Sequence, residues 1–89
     1  MDIKILTQSL SMDLLRVALG LHRGSLKMAE RFKQESQKAC NEITRKNPNQ
    51  DLSRLLNKTQ AVLARDDEHV AEDALMYSTL LRNFALKKL

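Results

Sequence analysis

Pro48 is the only proline in a chain of 89 residues, and it is accompanied by only two glycines, Gly20 and Gly24. Proline and glycine are the strongest local breakers of regular structure. A chain so poor in them has few places to reverse, and those places set its architecture. Asn47-Pro48 is the sharpest. Asn47 suits a helix N-cap, because its side-chain oxygen can accept from an unpaired N–H of the first turn. Pro48 then occupies the first helical position, where its fixed φ fits and its missing N–H is not needed. Gln50, three residues after the cap, completes a capping box, and Asp51 brings negative charge to the positive end of the helix dipole. The same proline disfavours α geometry at Asn47, so an upstream helix ends there, with Arg45 and Lys46 as cations in its last turn.

The sequence on either side is built from helix formers. Leu, Ala, Met, Lys, Glu, Gln and Arg dominate, while β-branched residues and turn dipeptides are too few for a sheet. The length fits one small domain. The first helix is expected over about Thr7 to Leu21, or from Ile3, with Gly24 as its C-terminal stop. Its polar residues Ser9, Asp13, Arg16 and Gly20 form a narrow stripe, and most of the rest is apolar. An apolar face that wide implies cover from two directions, and in a short chain a second copy of the protein is the expected second cover. The second helix is expected from the N-cap Ser25 to Lys46, with a core seam of Ala29, Phe32, Ser36, Ala39 and Ile43 whose small residues permit close approach. A third helix buries Leu52, Leu55, Leu56, Thr59, Val62 and Leu63. A fourth buries Val70, Ala71, Ala74, Leu75, Ser78, Leu81, Phe84 and Ala85.

The boundary between the third and fourth helices has no glycine or proline to mark it. Continuing the third helix's seam would put Asp66 in the core, where an unpaired charge is expensive. A break at 65–67 is therefore expected, with Asp66 or Asp67 capping the fourth helix. The alternative is one long helix from 48 to 87, in which case a second chain would have to complete the bundle.

Signals for chemistry are few. Asp66, Asp67, Glu68, His69, Glu72 and Asp73 gather carboxylates and an imidazole at metal-ligand spacing, but bundle metal sites need a second such group on another helix. A first helical turn favours acids on electrostatic grounds alone. His22 falls in a last turn, where the dipole favours a cation, rather than mid-helix as a phosphotransfer histidine would. Cys40 sits beside an apolar seam and reads as a small buried hydrophobe. No phosphate loop, nucleophile elbow, zinc-ligand pair or dinucleotide fingerprint occurs. The expectation is a non-enzymatic protein that uses no cofactor, metal or small-molecule substrate. No apolar run reaches the roughly 20 residues of a membrane span. The N-terminus lacks a signal peptide's basic start, and the single cysteine fits a reducing cytoplasm.

One polar pattern has more structure. Lys27, Arg31, Gln34, Lys38, Asn41 and Arg45 recur every three or four residues along one line of the second helix. All carry hydrogen-bond donors of the kind that contact phosphates and base edges. Charge supports the same half of the chain: residues 1–47 hold nine Lys/Arg against five acids, and residues 48–89 hold six against six. Against a nucleic-acid role, Glu30, Glu35 and Glu42 are placed to pair with the cations at Lys27–Glu30, Arg31–Glu35, Lys38–Glu42 and Glu42–Arg45. Only three aromatic residues are present to stack on bases.

The sequence therefore predicts an all-α antiparallel bundle of four helices, or three if the last two are continuous, assembled as a dimer. The expected function is protein–protein interaction as a small adaptor or regulatory subunit, through apolar faces of the first and last helices. Leu15, Leu19, Leu80 and Leu86 lie outside the main seams and are the candidate contacts for a second copy or a partner helix. Nucleic-acid binding through the Lys27–Arg45 stripe is the less favoured alternative.

Overall fold

A computed structural model describes residues 2–89. It contains four helices: α1 (Ile3–His22), α2 (Leu26–Arg45), α3 (Gln50–Leu63) and α4 (Val70–Lys88). α1 starts at the earlier of its two expected positions because Asp2 caps it, accepting from the Lys4 N–H at 3.0 Å. It ends as expected at Gly24, which takes φ +74. The Gly24 N–H donates to the Leu21 carbonyl at 3.2 Å and the Ser25 N–H to the Gly20 carbonyl at 2.8 Å. This pair of bonds satisfies the last orphan carbonyls of the helix. Ser25 then caps α2.

The Asn47-Pro48 reversal lies where expected, but its parts have other roles. Asn47 is not the cap of α3. It takes φ +52 and terminates α2, its N–H donating to the Thr44 carbonyl at 3.3 Å. With no glycine available, asparagine is the residue that best tolerates a left-handed backbone. Pro48 cannot donate the bond that Ser25 makes after Gly24 in the first turn, so α2 closes on the Asn47 bond and on the Lys46 N–H, which donates to the Ile43 carbonyl at 3.0 Å. The cap of α3 is Asn49, whose Oδ1 accepts from the Leu52 N–H at 2.9 Å. Gln50 becomes the first helical residue, so the capping box does not form, while Asp51 remains in the first turn.

α3 and α4 are separate helices, joined by residues 64–69. Neither Asp66 nor Asp67 is the cap: that position belongs to His69, which makes no side-chain capping bond. Asp67 instead accepts from the His69 N–H at 2.9 Å, and Arg65 grips Asp67 through Nε and Nη2, each at 2.9 Å, and Asp73 through Nη1 at 2.7 Å. Thus an arginine with two carboxylates makes the turn that glycine or proline would otherwise supply.

The helices form a bundle of 34 × 19 × 19 Å. α1 packs closely along both α2 and α4, while α3 approaches those two less closely. The side chains at the contacts account for the difference. Where α1 meets α2, a Cβ added at Gly20 would lie 2.8 Å from the Ala29 nitrogen. Where α1 meets α4, the Ser78 hydroxyl donates to the Ser11 carbonyl at 2.6 Å, and Ala18 and Ala74 share one core cluster. α3 enters through Leu52, Leu56 and Leu63, long side chains that pack with Leu6, Leu10, Leu14 and Leu81. Each such leucine contributes about 1.5–3 kcal/mol on burial.

Two expectations for α1 are corrected here. Gly20 is buried rather than part of a solvent stripe, because α2 crosses directly over it. The wide apolar face does have two covers, α2 and α4, and both belong to the same chain. Thr7 and Ser11 are buried as well, their hydroxyls donating to the Ile3 and Gln8 carbonyls at 2.8 Å each.

Candidate functional site

Covering α1 from both sides leaves a smaller apolar surface on the outside of the α1–α4 seam. Ala18 and Ser11 face α4 from α1, so the side chains next around the helix, Met12, Leu15 and Leu19, form one lip of a groove. Ala71, Leu75, Thr79 and Arg82 form the other lip on α4, and Ser78 lies at its floor. Met12 is 53% exposed and Leu75 49%, values that set them apart from the buried leucines of the same helices, Leu10 and Leu14 on α1 and Leu81 on α4. The groove runs from His22 and Glu72 at one end, past Leu15 and Leu75, to Met12 and Arg82 at the other.

The candidate contacts divide. Leu15 and Leu19 line this groove. Leu86 is exposed and continues the α4 lip, since eleven residues from Leu75 bring it back to within about 20°. Leu80 is exposed too, but it stands about 140° around α4 from Leu75 and does not share the groove. Among the contributors not singled out as contacts from the sequence are Met12, Leu75, Thr79 and Arg82. Leu75 read as core because it falls four residues after Ala71. Its place at the edge of the apolar arc was the available signal.

The basic stripe forms as a pattern. Lys27, Arg31, Gln34, Lys38, Asn41 and Arg45 are all exposed along the side of α2 away from the core. None of the four expected intrahelical pairs forms. Glu35 turns to Lys38 instead, at 3.6 Å. The Arg31 guanidinium lies 5.3 Å from the centre of the Phe32 ring, and Arg16 from α1 lies 5.2 Å from it. Arg16 is held by Asp13 at 3.3 Å. Partial burial beside α2 raises the Asp13 carboxyl above its ordinary value, with Arg16 opposing the shift and Glu35 adding to it.

The other polar groups are occupied structurally. Asp67 is held down at about 2, chiefly by its hydrogen bonds from Arg65 and then by the His69 N–H. His69 lies 3.6 Å from Glu68 and 3.8 Å from Glu72, and two of the cluster's other three carboxylates, Asp67 and Asp73, are engaged by Arg65, while Asp66 is exposed. Among the described residues no three His, Cys, Asp or Glu side chains converge as metal ligands would. Cys40 is fully buried, and loss of hydration pushes its thiol up to about 12, far from the range of a reactive thiolate. No helix is long and apolar enough to cross a membrane.

Comparison with protein-family models, curated proteins and solved structures finds no match to this chain.

Proposed function

We propose that this protein is a non-enzymatic interaction module, a small adaptor or regulatory subunit whose contact surface is the α1–α4 groove. The observation that carries the reading is the exposed apolar line Met12, Leu15, Leu75 and Leu86, which persists after the chain has covered α1 from both sides. Apolar side chains that are contiguous along one groove, rather than scattered singly, are the kind of surface that marks a contact site. The helices are taken to run up-down-up-down. Supporting this are the bond from Ser78 to Ser11 and the cavity that His22, at the C-terminal end of α1, lines together with Ala71, at the N-terminal end of α4. A second copy or an apolar helix of another protein fits such a groove. The lone buried thiol suits a reducing cytoplasm.

Leu15→Glu tests the reading. The substitution is at an exposed position, so the helical circular dichroism should be unchanged, while binding to a partner or to a second copy is lost. Leu80→Glu, on another face of α4, is the control and should leave binding intact. Equal binding by wild type and Leu15→Glu would remove the groove from consideration.

Nucleic-acid binding by α2 remains the second reading. The observation in its favour is that Lys27, Arg31 and Arg45 form no ion pair among the described residues, so the stripe's field is less diluted than the sequence implies.

A further inference from the structure

We infer that the occupant of the α1–α4 groove is a second copy of this chain, related by a two-fold axis, with Arg82 of each copy paired to Glu72 of the other. This rests on the groove being a contact surface and adds what fills it. The layout of charge along the groove is the first argument. Its middle is apolar, with Leu15 beside Leu75, whereas Glu72 stands at one end and Arg82 at the other. Ten residues of helix separate them, about 15 Å. Arg82 has no carboxylate partner in its own chain among the described residues. Glu72 has only His69, at 3.8 Å.

A two-fold axis through the middle of the groove exchanges its ends. In such an interface residue i meets j while j meets i. Placing the axis near Leu15 and Leu75 therefore brings Arg82 to Glu72 twice, once at each rim, and stacks the four leucines at the centre. A groove with opposite charge at its two ends is complementary to the same groove reversed. A second copy supplies that pattern without further assumption, whereas an unrelated helix would need to match it independently.

The distribution of polarity is the second argument. The apolar centre with charged rim also follows the usual anatomy of such interfaces.

The test is sedimentation equilibrium of the full chain up to about 100 μM, a concentration at which even weak dimers populate. Wild type is expected to dimerise. Arg82→Glu and Glu72→Arg should each weaken the dimer by about tenfold or more, because each puts two like-charged pairs at the rims. The double variant Arg82→Glu, Glu72→Arg should recover the wild-type constant. Both positions are exposed, and circular dichroism would verify that the variants fold. A chain that stays monomeric overturns the inference, as does a dimer indifferent to both reversals, or single losses that the double variant fails to mend. If the chain is monomeric yet Leu15→Glu abolishes binding to another protein, the groove stands as a contact surface and only its occupant is wrong.

Discussion

At the scale of single residues, the tightest constraint is Gly20. Its missing side chain lets the α2 backbone pass where a Cβ would stand 2.8 Å from the Ala29 nitrogen. Gly20→Ala therefore has two opposing effects. Alanine is the better helix former by up to about 1 kcal/mol, but the methyl group must push α1 and α2 apart, and such overpacking costs about 1–3 kcal/mol. Because the obstruction is backbone rather than a flexible side chain, the steric effect should win. We expect a net loss of about 1–2 kcal/mol, read as a fall of several degrees in the thermal midpoint of so small a domain. An unchanged or raised midpoint would mean that the helices separate freely here. The position also illustrates a limit of reading one sequence. On a helical wheel Gly20 aligns with Ser9, Asp13 and Arg16, and nothing local announces that a second backbone crosses at that level.

At the scale of elements, apolar periodicity together with Gly24 and Asn47-Pro48 made the first two breaks legible, whereas the third rested only on the cost of burying Asp66 and left a continuous last helix open. The division of labour within the breaks was not legible. Asn47 and Asn49 are both good caps two residues apart, and Pro48 between them fits either assignment. The choice was made by α2, which needed a left-handed residue to end on. Asn49→Ala should accordingly cost about 1 kcal/mol through loss of the bond from the Leu52 N–H. Asn47→Gly should cost nothing or stabilise slightly, since glycine takes positive φ freely. Urea denaturation of the two variants checks this, and the reverse order would restore Asn47 as the cap.

The α3–α4 turn makes a prediction in acid. Asp67 ionises at about 2 in the folded chain against an ordinary 3.8, so its folded form binds the proton less readily than its unfolded form. The stabilisation is complete above pH 3.8 and is lost as pH falls from there towards 2. Arg65→Ala should flatten the pH dependence of unfolding in that window while leaving it unchanged near neutrality. A variant as acid-sensitive as wild type would show that Arg65 is not what holds Asp67. The clamp was unreadable from the sequence because Arg65 is part of the charge run it organises, and spacing alone does not say which carboxylates an arginine will take.

At the scale of the whole molecule, the sequence implied more exposed apolar surface than exists. Both arms of the excess on α1 are taken up within the chain, by α2 and α4. What remains is the groove, of which Leu15 and Leu19 were legible as lying off the main seams. Leu75 was expected in the core and is exposed, since placing it requires knowing which side of α4 faces α1. Charge is also a property at this scale. Four of the nine cations of residues 1–47, Lys27, Arg31, Lys38 and Arg45, lie along one exposed line on α2. If that line binds nucleic acid, retention on heparin should fall steeply with salt. Lys27→Glu with Lys38→Glu should then abolish retention. No retention by wild type at low salt would leave the stripe as solvated surface.

α1 is fixed on one side by backbone contact at Gly20 and on the other by the Ser78 hydroxyl on the Ser11 carbonyl. It therefore acts as the spine of the molecule, and both lips of the groove are elements already immobilised by the core. A partner arriving there would meet a backbone with little conformational freedom left to lose, and would have to order only exposed side chains such as Met12 and Arg82. Since the ordering of loose side chains and segments is a large part of what weakens association, a contact of modest area on this face can hold more firmly than its size suggests.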